Sequence, residues 1–473
     1  MSAVRLIATG IALLGLVAWR LAAAELPAHV AQLLLMNNVA PDSVSVFIKR
    51  VGDTGPTIAH NVNTPRNPAS VMKLVTTAAA LDLLGADHRW QTQVLVDGTI
   101  KGNTLHGDLI LKGGGDPWLV IERFWLLLRQ LRARGLAHIA GDLILDDNLF
   151  DRTAITGTAL DGKAFRAYNT PPNALLVNYG ATRFTIEPRA GTLTVNADPL
   201  ATTLRLANRL RSRSGSCARR GRNITLEVKH QGQHTEVAIG GSYPAHCEGA
   251  EFARTVLPHD QYVYGVFKAL WQQLGGTLTG GWRYGHAPEG AQSLTRFESV
   301  SLAEAIRGIN KFSNNVMARS LLLTLGVQFR GHPATPATGA SAISDWLHTA
   351  GVKMPALVID NGAGLSRRAR VSAAGLAALL EYTAAMAYFP EFAASLPIAG
   401  VDGSLRTRFQ GIAAAGRLRL KTGQLTGVRA LAGYATGRDG ARWIIVILHN
   451  HPLANGPVGI DLQHQLLQSV LRP

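Results

Sequence analysis

Ser70-Val71-Met72-Lys73 is the stretch whose residue types and spacing point most directly to chemistry. Pro68 presets a helical φ, and the Ala- and Leu-rich run behind it favours a helix that opens near Ser70, runs to about Leu84 and stops at Gly85. Residues three apart share a helix face, so Lys73 falls one turn beyond Ser70 with its amine within reach of the hydroxyl. Serine alone is a poor nucleophile near pH 7. A lysine partly desolvated by Val71, Met72 and Leu74 can lose enough basicity to take the serine proton. The plainer alternative is a solvated helix face, where a serine and a lysine at this spacing are common.

The rest of the chain must position that pair. Residues 43–48 alternate as a half-buried strand, Gly52-Asp53-Thr54-Gly55 is turn chemistry, and a second short strand is expected at 57–59. From His88 the texture changes to short strands with tight turns at 94–96, 104–105 and 107–111. A helix over 119–134 follows, then strands at 141–145, 182–187, 193–196, 224–229 and 235–239. This strand-rich region, about 90–255, interrupts whatever begins at residue 25. Gly113-Gly114-Gly115 lacks the Gly-Lys-Ser/Thr of a phosphate loop and reads as a turn. Helices return over 260–274 and 302–308. Ser313 and Asn315 flank Asn314 at a helix start, where their side chains can point together into a cleft; an N-cap is the simpler role for Ser313. The polar, Gly-containing stretch from Asp360 to Arg367 suits a binding rim. Arg417-Leu418-Arg419-Leu420 alternates as a strand running into Lys421-Thr422-Gly423, followed by strands at 430–434 and 443–448 and a final helix at 460–471.

At 473 residues, with 47% hydrophobic and 16% charged residues, the chain is expected to be folded and to hold more than one domain. Residues 1–24 carry Arg5, an apolar run and Leu21-Ala22-Ala23-Ala24, which predicts an export signal cut after Ala24. No later stretch reaches the roughly 20 apolar residues of a membrane helix. Removing the leader lowers the formal net charge from +16 to +14, because Arg5 and Arg20 leave with it. The basic residues are scattered apart from a cluster at Arg209, Arg211, Arg213, Arg219, Arg220 and Arg222, and an exported protein meets little nucleic acid. Anionic wall polymer or lipid headgroups, met by peripheral contact, fit that charge better, as does a plain solubilising surface. Cys217 and Cys247 are an even pair behind an export signal and are expected to form a disulfide, the alternative being two buried thiols. None of the 15 histidines has a ligand spacing; His449 and His451 are the nearest pair, and neither a metal nor a cofactor is expected.

Ser-x-x-Lys, Ser-x-Asn and Lys-Thr-Gly in this order, here Ser70 to Lys73, Ser313 to Asn315 and Lys421 to Gly423, are the motif set of penicillin-binding proteins and serine β-lactamases. The gap between Ser70 and Ser313 is far longer than in β-lactamases. The chain closely resembles the low-molecular-mass class C penicillin-binding proteins, the penicillin-binding protein 4 type of D-alanyl-D-alanine carboxypeptidase and endopeptidase (serine peptidase family S13). The likeness spans nearly all of the mature chain and includes Gly113-Gly114-Gly115-Asp116-Pro117, Ala174-Leu175-Leu176-Val177-Asn178, Gly364-Leu365-Ser366-Arg367 and the run from Leu396 to Gly403. It implies an α/β fold, a β-lactamase/transpeptidase-like domain of antiparallel sheet and helices over 25–89 and 256–473, split by β-rich inserted domains over 90–255.

By that resemblance Ser70 attacks the carbonyl between two terminal D-alanines of a peptidoglycan stem peptide, Lys73 accepts its proton, and an acyl-enzyme forms. The backbone N–H groups of Ser70 and Gln424 hold the oxyanion, Ser313 relays a proton to the leaving nitrogen, and Asn315 binds the peptide amide. Lys421 and Thr422, with Gly423, meet the terminal carboxylate, and Arg367 lies on the cleft rim. β-Lactam antibiotics are expected to acylate Ser70, and the periplasm is the expected compartment. Related enzymes hold a side-chain amine of the stem peptide with an acid. Counting from Tyr168, Lys163 occupies that position here and Asp161 is out of register. Two rivals remain. A β-lactamase needs a base for its deacylating water, yet Glu381 and Glu391 lack the usual context; a non-catalytic wall-binding scaffold would not need the full motif set. Carboxypeptidase and endopeptidase share one acyl-enzyme and differ only in the leaving group.

Overall fold

The computed structural model describes residues 25–155, 162–189, 192–410 and 416–471. The expected leader at 1–24 and Asp161 lie outside the described residues. One five-stranded antiparallel sheet unites the two ends of the chain, in the order Leu418–Leu425, Val428–Thr436, Arg442–Asn450, Val44–Arg50, Ile58–His60. Val46 faces Ile447 across the junction of early and late strands. The alternation of the late strand divides its side chains between two cores. Ile444, Val446 and Leu448 face a helical layer, while Ile445 and Ile447 face the terminal helices Ala28–Met36 and Pro457–Leu471. The helical layer holds Lys73–Leu84, Leu302–Lys311, Asn315–Arg330, Pro336–Thr349 and Ala373–Ala385.

The interrupting region builds three further sheets. Its largest has seven strands, around the hairpin of Gln91–Lys101 and Thr104–Lys112. Gly98 and Gly107 face each other in that hairpin and do not break it, so the short strands expected from the sequence merge into two long ones. Two three-stranded sheets complete the region. One of them contains Leu204–Arg213, a strand that reads in the sequence as a charge cluster. The disulfide forms, closing Cys217 to Cys247 with 5.6 Å between their Cα atoms. His246 lies near both sulfurs, but a disulfide offers no thiolate to a metal.

The pairing corrects the boundary expected at 255. Gln292–Glu298 pairs with the start of Gln91–Lys101, and Thr277–Leu278 and Trp282–Tyr284 join the same seven-stranded sheet. Helix His259–Gln273 buries Phe267 and Trp271 in the core of that region, not in the helical layer around Lys73–Leu84. Strands of two or three residues cannot bury a core alone, so they extend the sheet already present. The inserted unit therefore closes at Glu298. No helix among the described residues is long and apolar enough to cross a membrane.

Candidate active site

The turn that carries Ser70 differs from the expected α-helix start. Ala69–Met72 is a 3₁₀ turn, and the α-helix proper is Lys73–Leu84. Side-chain hydrogen bonds clamp the turn. Asn67 Oδ1 accepts from Ala69 N at 2.8 Å, Asn67 Nδ2 donates to the Ser366 carbonyl at 2.7 Å, and Asn67 N donates to Asn450 Oδ1 at 2.8 Å. Two backbones then press against it. A Cβ on Gly364 would stand 1.8 Å from the Ala69 carbonyl oxygen, and one on Gly423 would stand 2.4 Å from the Pro68 carbonyl oxygen. Ala69 itself is held at φ +44°, a left-handed conformation that ordinary residues seldom adopt. Ser70 remains partly exposed on top of this clamp.

Lys73 is fully buried and meets three oxygens: Ser70 Oγ at 3.0 Å, Asn315 Oδ1 at 2.7 Å and the Ala363 carbonyl at 2.7 Å. None is a carboxylate. Burial holds its pKa well below the ordinary lysine value, and the neighbouring Lys421 lowers it further. The geometry decides what the neutral amine does. Asn315 Oδ1 and the Ala363 carbonyl can only accept, so they occupy the two N–H groups of a neutral amine and leave its lone pair toward Ser70. That is the arrangement of a general base poised on a nucleophile.

Lys421 is also fully buried, and burial pushes its pKa down to about 7. It donates to Ser313 Oγ at 2.9 Å and to the Thr422 carbonyl at 2.8 Å. Ser313 does not cap the helix. Asn314 does, accepting from Met317 N at 3.1 Å, which leaves the Ser313 hydroxyl for Lys421. Asn315 Nδ2 donates to the Tyr168 carbonyl at 3.3 Å, so the inserted unit supplies one wall of the site. Tyr168, Tyr179, Phe312, Ser313, Asn315 and Glu122 line a cavity of about 520 Å³. Lys163 is exposed and outside that lining, whose carboxylates are Glu122 and Asp198 and whose cation is Arg183.

Gly423 lies against the nucleophile turn and Gln424 is exposed on the edge strand. Arg367 is exposed and donates to the Thr426 carbonyl at 2.7 Å. Several functional groups carry little sequence signal. The Ala363 carbonyl is backbone, and Ser404, whose Oγ bonds Thr422 Oγ1 at 2.8 Å, lies one residue past the run from Leu396 to Gly403. Behind it Lys311 binds Asp402 Oδ2 at 2.5 Å and the Leu396 carbonyl at 3.0 Å, fixing that run. Glu381, a conceivable base for a deacylating water, is taken by Lys49.

The D-alanyl-D-alanine carboxypeptidase of Actinomadura sp. (strain R39) is 31% identical over 413 residues, covering 84% of this chain and 75% of its own. D-alanyl-D-alanine carboxypeptidase DacB of Haemophilus influenzae is 24% identical over 405 residues, covering 85% and 84%. The fold matches the crystal structure of penicillin binding protein 4 from Haemophilus influenzae with a TM-score of 0.78 at 22% identity, over 94% of this chain and 99% of that one. With residues 26–469 also matched by the family as a whole, the chain belongs to the D-Ala-D-Ala carboxypeptidase 3 (S13) family.

Proposed function

We propose that the protein removes the terminal D-alanine from peptidoglycan stem peptides through an acyl-enzyme on Ser70, and cleaves cross-links between stem peptides by the same route. One observation carries this reading: the fully buried Lys73 amine, 3.0 Å from Ser70 Oγ, with its two N–H groups claimed by carbonyl oxygens. Ser70 Oγ attacks the scissile carbonyl and its proton passes to Lys73. The backbone N–H groups of Ser70 and Gln424 stabilise the oxyanion; one such donor is typically worth about 3 kcal/mol. As the C–N bond breaks, Ser313, hydrogen-bonded to Lys421, delivers a proton to the departing nitrogen. Water then attacks the ester and frees Ser70. Asn315 binds the peptide amide, Thr422 and Gly423 border the terminal carboxylate, and Arg367 marks the rim.

β-Lactams acylate the same serine in this reading, and the site works outside the cytoplasm after the leader is removed. A β-lactamase reading is weakened by the engagement of Glu381 with Lys49. A scaffold reading leaves the depressed basicity of two buried lysines without purpose. The test incubates purified protein with pentapeptide muropeptides and cross-linked dimers. Loss of the last alanine and appearance of monomers are expected, both abolished in Ser70→Ala. Trimming that survives Ser70→Ala refutes the assignment.

A further inference from the structure

Two arginines beside the edge strand, Arg408 and Arg429, have no acid among the described residues to answer them. Arg429 stands opposite Gln424 in the pairing of Leu418–Leu425 with Val428–Thr436, and residues paired in an antiparallel ladder project to one face. Thr422, two residues before Gln424, shares that face. Arg429 is only 8% exposed, and its guanidinium donates to the carbonyls of Ala454 at 2.8 Å and Asn455 at 3.3 Å. Arg408 donates to Gln463 Oε1 at 2.6 Å and lies over the Phe409 ring, 4.7 Å from its centroid. Every one of these acceptors is neutral. Burial lowers the pKa of both arginines, and the charge of Arg429 further lowers that of Arg408, to about 10. Among the described residues neither is paired with a carboxylate. Cations at such depth are costly until an anion completes them.

Both arginines line one cavity of about 640 Å³ together with Ser404, Thr422, Gln424 and His464. The cavity thus begins at the strand that carries Lys421. That strand is the outermost of its sheet, so an extended peptide can add along it and run past Thr422 and Gln424. At this size the cavity accommodates more than one amino acid.

We infer that this cavity receives a carboxylate on the departing side of the scissile amide, held by Arg408 and Arg429 with the hydroxyls of Ser404 and Thr422 at its mouth. The inference rests on the reaction assigned above and names a binding site for its leaving group. The carboxylate has two sources: the terminal alanine of a pentapeptide, or the second stem peptide of a cross-linked dimer.

The test measures kcat and KM of the full mature chain on a pentapeptide, a cross-linked muropeptide dimer, and forms of each whose departing carboxylates are converted to amides. The unaltered enzyme is expected to prefer the free acids. In Arg408→Gln the ratio of acid to amide kcat/KM should fall about ten- to a hundred-fold, mainly through KM, as expected for one charge-assisted hydrogen bond. Arg408→Lys should restore part of it. A fall on both substrates assigns the cavity to the terminal alanine's carboxylate, and a fall on the dimer alone assigns it to the second stem peptide. No preference for either free acid in the unaltered enzyme overturns the inference without any variant, as does an equal loss on acid and amide substrates that Arg408→Lys fails to relieve. If the unaltered enzyme cleaves none of the substrates, the reaction assigned above fails first and the inference with it.

Discussion

Replacing Gly364 with alanine separates the clamp on the nucleophile from ordinary backbone strain. The added Cβ would lie 1.8 Å from the Ala69 carbonyl oxygen, 2.5 Å from its carbon and 3.0 Å from Met72 Cβ. Non-bonded heavy atoms settle at about 3.5 Å, so the turn must retreat by more than about 1 Å. Ala69 precedes Ser70, and an error of about 1 Å in a reacting atom costs roughly a hundred-fold in rate. Gly364 also has φ +72°, which adds about 1–2 kcal/mol for any side chain. Gly102 provides the control, with φ +60° in the hairpin turn and nothing within 4 Å of where an added methyl would stand. Acylation by labelled penicillin, followed as a second-order rate constant alongside thermal melting, reads both effects. Gly364→Ala should melt lower and acylate about a hundred-fold more slowly, whereas Gly102→Ala should melt lower and acylate normally. Acylation of Gly364→Ala at the unaltered rate would refute the argument that this contact sets the position of Ser70.

Lys73→Met removes the base and should slow acylation by about 10² to 10⁴-fold without unfolding the protein, as measured by stopped-flow acylation and circular dichroism. Because the neutral amine is the working form, acylation should rise with pH as Lys73 loses its proton and disappear on acidification. Lys421 gives the matching stability effect. Its pKa is about 7 in the folded protein against an ordinary 10.5, so the unfolded chain binds the extra proton between those values and stability rises with pH across that window. The contribution is at most about 1.4 kcal/mol per pH unit and should vanish from urea melts of Lys421→Met. Cys217→Ser with Cys247→Ser opens a loop of sequence separation 30, a loss of about 3 to 4 kcal/mol on the chain-entropy account. Melting should drop while penicillin acylation persists, since the disulfide lies in the inserted unit.

The chemistry was more legible in the sequence than the architecture that delivers it. The spacing of Ser70 and Lys73 fixes their proximity through local geometry alone, and the alternation through Leu418 and Leu420 announces the strand that carries Lys421. Ser313 was legible as a cleft residue, although the cap beside it belongs to Asn314. What escaped the sequence depends on distant partners. Thr277–Leu278 and Trp282–Tyr284 are strands only because a sheet edge waits for them, so the inserted unit extends to Glu298 and not to 255. The Ala363 carbonyl leaves no side-chain pattern, yet it helps aim the Lys73 lone pair. Helices such as Pro336–Thr349 and Ala373–Ala385 are rich in small residues and lack a sharp polar face, which blunts the periodic signal.

The measurement closest to the central claim is the site and lifetime of the penicillin adduct. Intact-protein mass spectrometry followed by peptide mapping should find one penicilloyl group on Ser70, stable over many minutes and absent from Ser70→Ala. An adduct on another residue, labelling that survives Ser70→Ala, or rapid release of hydrolysed penicillin would contradict the account.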